Sequence, residues 1–214
     1  MPTRIGPTAR EFRDAVVTSY SKVRARFQDR DRWQEVRAKS TTPLWMARPS
    51  ENYRLPEETS LSVLGEAAAS LHLTYATREQ LHLDAIFSYK EVWFPIVVAI
   101  ESEIVSGTFE QEVKKLLSVR CPLKVGMTGF DTSDGEEEKK LQAIEQMIKN
   151  KFKEISEIIR EDPDAEYLFL IDVELNSQKE ISRWYALDFR AGDGPQDRTF
   201  ELVDAVGQHE KEVA

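Results

Sequence analysis

Apolar residues near the start of the chain recur at helical intervals. Phe12, Val16, Tyr20, Val23 and Phe27 stand three and four positions apart, which is the stripe of an amphipathic helix over residues 9 to about 39, with arginines on its other side. The helix should pack by that stripe. Ser40-Thr-Thr-Pro43 supplies a stop, and Pro43, Pro49 and Pro56 mark the segment up to residue 56 as a connector. Glu57 and Glu58 then precede the apolar positions of residues 61–71, where acidic side chains suit the positive end of a short helix. Gly65 inside that helix costs about 1 kcal/mol relative to alanine.

Downstream the pattern changes. Residues 81–89 and 93–103 are rich in β-branched and aromatic side chains and are separated by Lys90-Glu-Val, which predicts two neighbouring strands. Thr108 is placed to cap a helix over 108–120, with Phe109, Val113, Leu116 and Leu117 facing inward and Pro122 just past its end. A strand follows at 123–130, and its two glycines suggest close approach by another group. The acidic loop 131–138 reads as a solvated turn and the negative first turn of the next helix. Residues 141–160 keep an apolar face opposite lysines, a long surface helix stopped by Asp162-Pro163. Strands are expected at 166–175 and 181–189, and 200–203 adds an edge.

This order predicts an α/β fold: a central mixed β-sheet flanked by helices on both faces. Residues 1–56 read as an N-terminal basic helical appendage and connector, 57–204 as the α/β domain, and 205–214 as a flexible tail. No internal repeat, heptad run or low-complexity block interrupts the pattern.

Composition narrows the chemistry. No stretch of the 214 residues approaches the roughly 18 apolar positions of a membrane span, and the N-terminus lacks the apolar core of a signal peptide. A cytoplasmic protein with no membrane partner is expected. The single Cys121 cannot form an internal disulfide, and three histidines (His72, His82 and His209) leave too few soft ligands for structural zinc or a Cys/His pair. A net charge of −9 argues against non-specific nucleic-acid binding. Its distribution softens that objection, because residues 1–54 carry 12 Lys/Arg against 6 Asp/Glu. The two ends of the chain are suited to different partners.

The stretch richest in chemistry is residues 95–100, Pro-Ile-Val-Val-Ala-Ile, which run into Glu101-Ser-Glu103. Carboxylates at i and i+2 on a strand share a face. With Asp84 on the neighbouring strand they could converge on one hard divalent cation, Mg2+ or Mn2+, held by Asp84, Glu101 and the backbone carbonyl of Ser102, with Glu103 beside them. Such a centre lowers the pKa of bound water and stabilises the charge of in-line attack on phosphorus. The following helix would bring Gln111, Lys114 and Lys115 within one to two turns, where a lysine could neutralise a phosphate or polarise the water.

An acid ending one strand, then an acid-x-acid ending the next, then an amphipathic helix and another apolar strand resembles the core of the PD-(D/E)xK nucleases, the restriction-endonuclease-like superfamily. The resemblance covers roughly residues 57–130. It aligns Asp84 with the first motif acid, Glu101 with the second, and Glu103 with the position usually held by lysine, where a restriction-enzyme subgroup also carries glutamate. It implies Lys115 as a migrated replacement for that lysine, Gln111 as the glutamine some branches carry on this helix, and Glu66 as an extra upstream acid at the metal. No proline precedes Asp84, a departure from the motif.

The resemblance implies a Mg2+-dependent endonuclease that cleaves nucleic acid, DNA in preference to RNA, with the basic N-terminal helix on the phosphate backbone and a homodimer presenting two sites. A different class remains open on the same residues. The absent motif lysine and the acidic body also suit a catalytically inactive binding or assembly module with a protein partner. Each acid has a plainer reading as a hydrogen-bonded or solvated strand-end residue, and Trp45, Trp93 and Trp184 read as packing residues.

Overall fold

Alternation of side chains across strands organises this molecule. On the strand Glu166–Glu174 (β5), Leu168 and Leu170 pack into one buried cluster while Tyr167, Phe169, Ile171 and Val173 pack into another, as a period of two requires of a strand covered on both faces. The computed structural model describes residues 5–26, 63–78, 83–89, 95–103, 106–132, 136–154, 163–174 and 182–206. Within them lies a seven-stranded sheet in sequential order: β1 (Leu73–Arg78), β2 (Leu83–Tyr89), β3 (Ile96–Glu103), β4 (Leu123–Asp131), β5, β6 (Ser182–Arg190) and β7 (Glu201–Val206).

The sheet is mixed. The pairs β3/β4 and β4/β5 are parallel and the outer pairs antiparallel. Parallel neighbours need a crossover, and helices α3 (Ser106–Ser118) and α4 (Glu137–Glu154) supply the two. Both lie on one face, where Phe109, Val113, Ile148 and Phe152 meet the aromatic rows of β5 and β6. Lys151 of α4 ties the pair together, its Nζ 2.6 Å from Glu110 of α3 and 2.9 Å from Glu154.

The opposite face is covered by α1 (Ala9–Arg26) and α2 (Val63–Ser70). A reciprocal capping box opens α1: the Glu11 amide donates to Thr8 Oγ1 at 3.0 Å and the Thr8 amide to Glu11 Oε2 at 2.8 Å. The carboxylate of Glu166 reinforces that end, accepting from the Ala9 amide at 2.6 Å, where the helix terminus is electropositive. Phe12, Val16 and Tyr20 are buried with Val63, Leu64 and Ala67 of α2 and the inner residues of the sheet. The Phe12 ring lies 5.3 Å from Phe87, and Tyr20 meets Trp184 edge-on at 4.8 Å. The apolar stripe thus belongs to the main core. Residues 9–20 are more than an appendage beside the domain, because their apolar face shares one layer of its core with α2. Residues 27–62, with the remainder of the expected helix and the connector, lie outside the described residues.

Two elements differ from the sequence reading. Strand β1 was not expected; within its six positions the alternation breaks at Tyr75-Ala76, and antiparallel pairing with β2 defines it. Strand β7 runs to Val206, so residues 205 and 206 are sheet, and the rest of the expected tail lies outside the described residues. No helix among the described residues is long and apolar enough to cross a membrane.

Candidate functional site

Strands β2 and β3 run antiparallel with Ala85 opposite Ile100, so one step outward Asp84 and Glu101 come opposite each other. Facing residues of an antiparallel pair project to the same side. That side is the α3 face, because Ala99, two residues before Glu101, packs with Leu116 of α3 and Cys121. Asp84 is held in place by a backbone donor, the Ser102 amide at 2.8 Å from its Oδ2.

Glu101 has no exposure to solvent. The parallel ladder sets Gly126 of β4 beside it, and at Gly126 a Cβ would stand 2.6 Å from Phe169 Cδ1 and 3.3 Å from Phe109 Cζ. Aromatic rings therefore close over the strand next to the acid, and glycine is what lets them. Helix α3 carries the countercharge. Its inward residues Phe109, Val113 and Leu116 are buried, and Glu112 and Lys115, three apart, emerge at the rim of that face. Lys115 Nζ lies 2.9 Å from Glu101 Oε1 and 2.6 Å from Glu112 Oε2. Neither oxygen of Glu101 completes an aligned hydrogen bond among the described residues, so Lys115 meets the acid by close approach alone.

These surroundings perturb both groups. Burial drives the Glu101 carboxyl up to about 9; Lys115 opposes the rise, while the side chain of Glu112, which favours the protonated form, and the negative charge of Asp84 add to it. For Lys115 burial alone would lower the value, but Glu112 and Glu101 outweigh it and the ammonium is held above its ordinary value. The centre consists of a buried acid with a strong tendency to keep a proton, a second acid fixed by a backbone amide, and a lysine shared between two carboxylates.

The other sequence candidates fall around this centre. Ser102 offers its amide to Asp84, and its Oγ, buried without a hydrogen bond, sits one position out of phase with Glu101 and so on the other face. Glu103 is half-buried, and its backbone carbonyl accepts from Thr128 Oγ1 at 2.5 Å. Glu66 belongs to α2, in the layer on the opposite side of the sheet from α3, which separates it from Glu101. Gln111 and Lys114 are exposed, and Lys114 lies 3.9 Å from Glu110. Trp184 is buried packing. His82, Trp45 and Trp93 lie outside the described residues.

Glu112 is the residue the sequence reading passed over. Its spacing from Lys115 on one helix face was the available signal.

Among the described residues no three His, Cys, Asp or Glu side chains are grouped as cation ligands; Asp84 and Glu101 share one face of adjacent strands. That pair still fits a hard divalent cation. Mg2+ commonly takes one or two carboxylates and completes its shell with water and substrate phosphate, and the buried Glu101 oxygens lack aligned donors.

No family model matches the chain, and no curated protein does. Among solved structures it is similar to the crystal structure of the central domain of yeast acetyl-CoA carboxylase, at 8% identity and a TM-score of 0.35, over 87% of this chain and 36% of that one. A likeness this slight carries no argument about fold or chemistry.

Proposed function

We propose that the centre at Asp84, Glu101 and Lys115 belongs to a Mg2+- or Mn2+-dependent nuclease that hydrolyses phosphodiester bonds, in DNA rather than RNA. The observation that carries this reading is the 2.9 Å approach of Lys115 to Glu101 beside an acid held by a backbone amide. Two acids and a lysine at the exit of a buried parallel strand are the groups that hydrolysis of a phosphodiester calls for. Asp84 and Glu101 hold the cation, which when bound supplies Lewis acidity to the phosphate and a more acidic water. Lys115 offsets charge building on the phosphate oxygens. Glu103, two residues along the same strand face, assists at its edge. Arg10 and Arg13 belong to α1, on the face of the sheet away from α3, and so do not line the centre; a homodimer places two centres on a duplex.

Cleavage of a plasmid substrate by the full chain with Mg2+, Mn2+ or a chelator tests the reading. Asp84→Ala and Glu101→Gln should each lower cleavage by roughly a hundredfold or more, and Lys115→Ala comparably, with circular dichroism unchanged. Lys114→Ala should leave the rate intact. Full activity in the Asp84 or Glu101 variant sinks the assignment.

A second reading is favoured by the complete burial of Glu101. In it the Glu101–Lys115 pair is architectural and the protein is an inactive binding or assembly module with a protein partner. Absence of Mn2+ binding by calorimetry on the wild-type chain selects this reading.

A further inference from the structure

Lys115 stands where two carboxylates compete for it. One is Glu101, fully buried on β3; the other is Glu112, on Lys115's own helix, with 20% of its side chain exposed. The two contacts, 2.9 and 2.6 Å, involve a single ammonium whose side chain is itself 35% exposed. The Glu101 oxygens are buried and complete no aligned hydrogen bond, so they are the groups that gain most from a better-placed cation. Glu112 is tied to Lys115 by helix spacing and does not depend on the sheet.

We infer that Glu112 is a positioning residue, a parking place that holds the Lys115 ammonium when a divalent cation takes the Glu101 carboxylate. The inference rests on the cation-dependent reading of the centre and extends it to a residue that touches neither cation nor substrate. A cation at Glu101 must displace a positive charge already within ion-pair distance of it, because two cations cannot share the same oxygens at short range. Without a second anchor the displaced ammonium would remain partly buried beside the incoming charge, and repulsion would weaken binding. With Glu112 present it keeps a partner through the exchange. The exchange balances when Glu101 releases its proton to solvent as the cation takes its carboxylate, while the Lys115 ammonium turns wholly to Glu112.

A double-mutant cycle read by Mn2+ titration calorimetry on the full chain tests this, with no assay of activity. Glu112→Gln should weaken Mn2+ binding by about fivefold or more in the wild-type background, and by less than about twofold when Lys115→Met is also present. If Glu112→Gln weakens binding equally in both backgrounds, Glu112 is itself a ligand and the inference fails. If it has no effect in either, the contact with Lys115 is incidental and the inference fails. If the wild-type chain and Lys115→Met both bind no Mn2+, the underlying cation-dependent reading falls and takes the inference with it. Glu112→Asp should restore wild-type affinity in part, since it keeps the charge on the same helix face.

Discussion

Lys115 brings its ammonium to 2.9 Å from Glu101 without cancelling the cost of burying that acid, whose carboxyl stays raised to about 9. The native state therefore holds the Glu101 proton more tightly than the unfolded chain, where the ordinary value of 4.5 applies. The stability this provides is complete below about 4.5 and is lost as pH rises through about 9. Glu101→Gln stays neutral throughout and escapes the loss. Urea midpoints should move in the variant's favour, relative to wild type, as the pH is raised across that window. Parallel profiles for the two proteins would show that Glu101 titrates normally.

Gly126 and Phe169 make a second sharp test, because a Cβ at position 126 would sit 2.6 Å from Phe169 Cδ1. Gly126→Ala should cost about 1–3 kcal/mol through overpacking. Replacing Phe169 by leucine in that background should recover part of the loss, as neighbouring sites couple. Wild-type stability in Gly126→Ala would mean that the ring moves aside freely.

The place of α1 in the core is testable at Phe12, which has no exposure. Phe12→Ala should destabilise the whole domain by about 3–5 kcal/mol, seen as one cooperative urea transition at lower midpoint. A helix merely appended to the domain would leave that midpoint where it was.

Thr8 closes the capping box of α1 with Glu11. Thr8→Ala should cost about 1 kcal/mol and Thr8→Ser much less, measured by thermal denaturation. An equal loss in both variants would locate the contribution of Thr8 in its methyl group.

The period of the apolar residues was enough to place α1, α3 and α4 and the strands β2 to β6, since helical and extended periods differ plainly in segments this long. Strand β1 escaped because Leu73-Thr-Tyr-Ala-Thr-Arg78 is short and its apolar and polar residues do not keep a period of two. The site was legible in part. The apolar run ending at Glu101 marked a strand exit, and the family resemblance singled out Lys115, but its contact with Glu101 depends on the rotation of α3 against the sheet. Helix spacing alone left both Lys114 and Lys115 within reach of the acid.

Local pattern determined, β1 apart, which segments are helices and strands, and that Asp84 and Glu101 stand on strands consecutive in the chain, because those properties depend on residues near one another in sequence. Which layer each helix covers was decided by tertiary packing alone. It set Glu66 on the far side of the sheet from Glu101, drew the stripe of Phe12, Val16 and Tyr20 into the main core, and brought Glu112 to the rim of the acidic centre. Burial of an acid is a property of everything packed around it, so the raised carboxyl of Glu101 exists only once Gly126 has let the rings of Phe109 and Phe169 close in beside its strand.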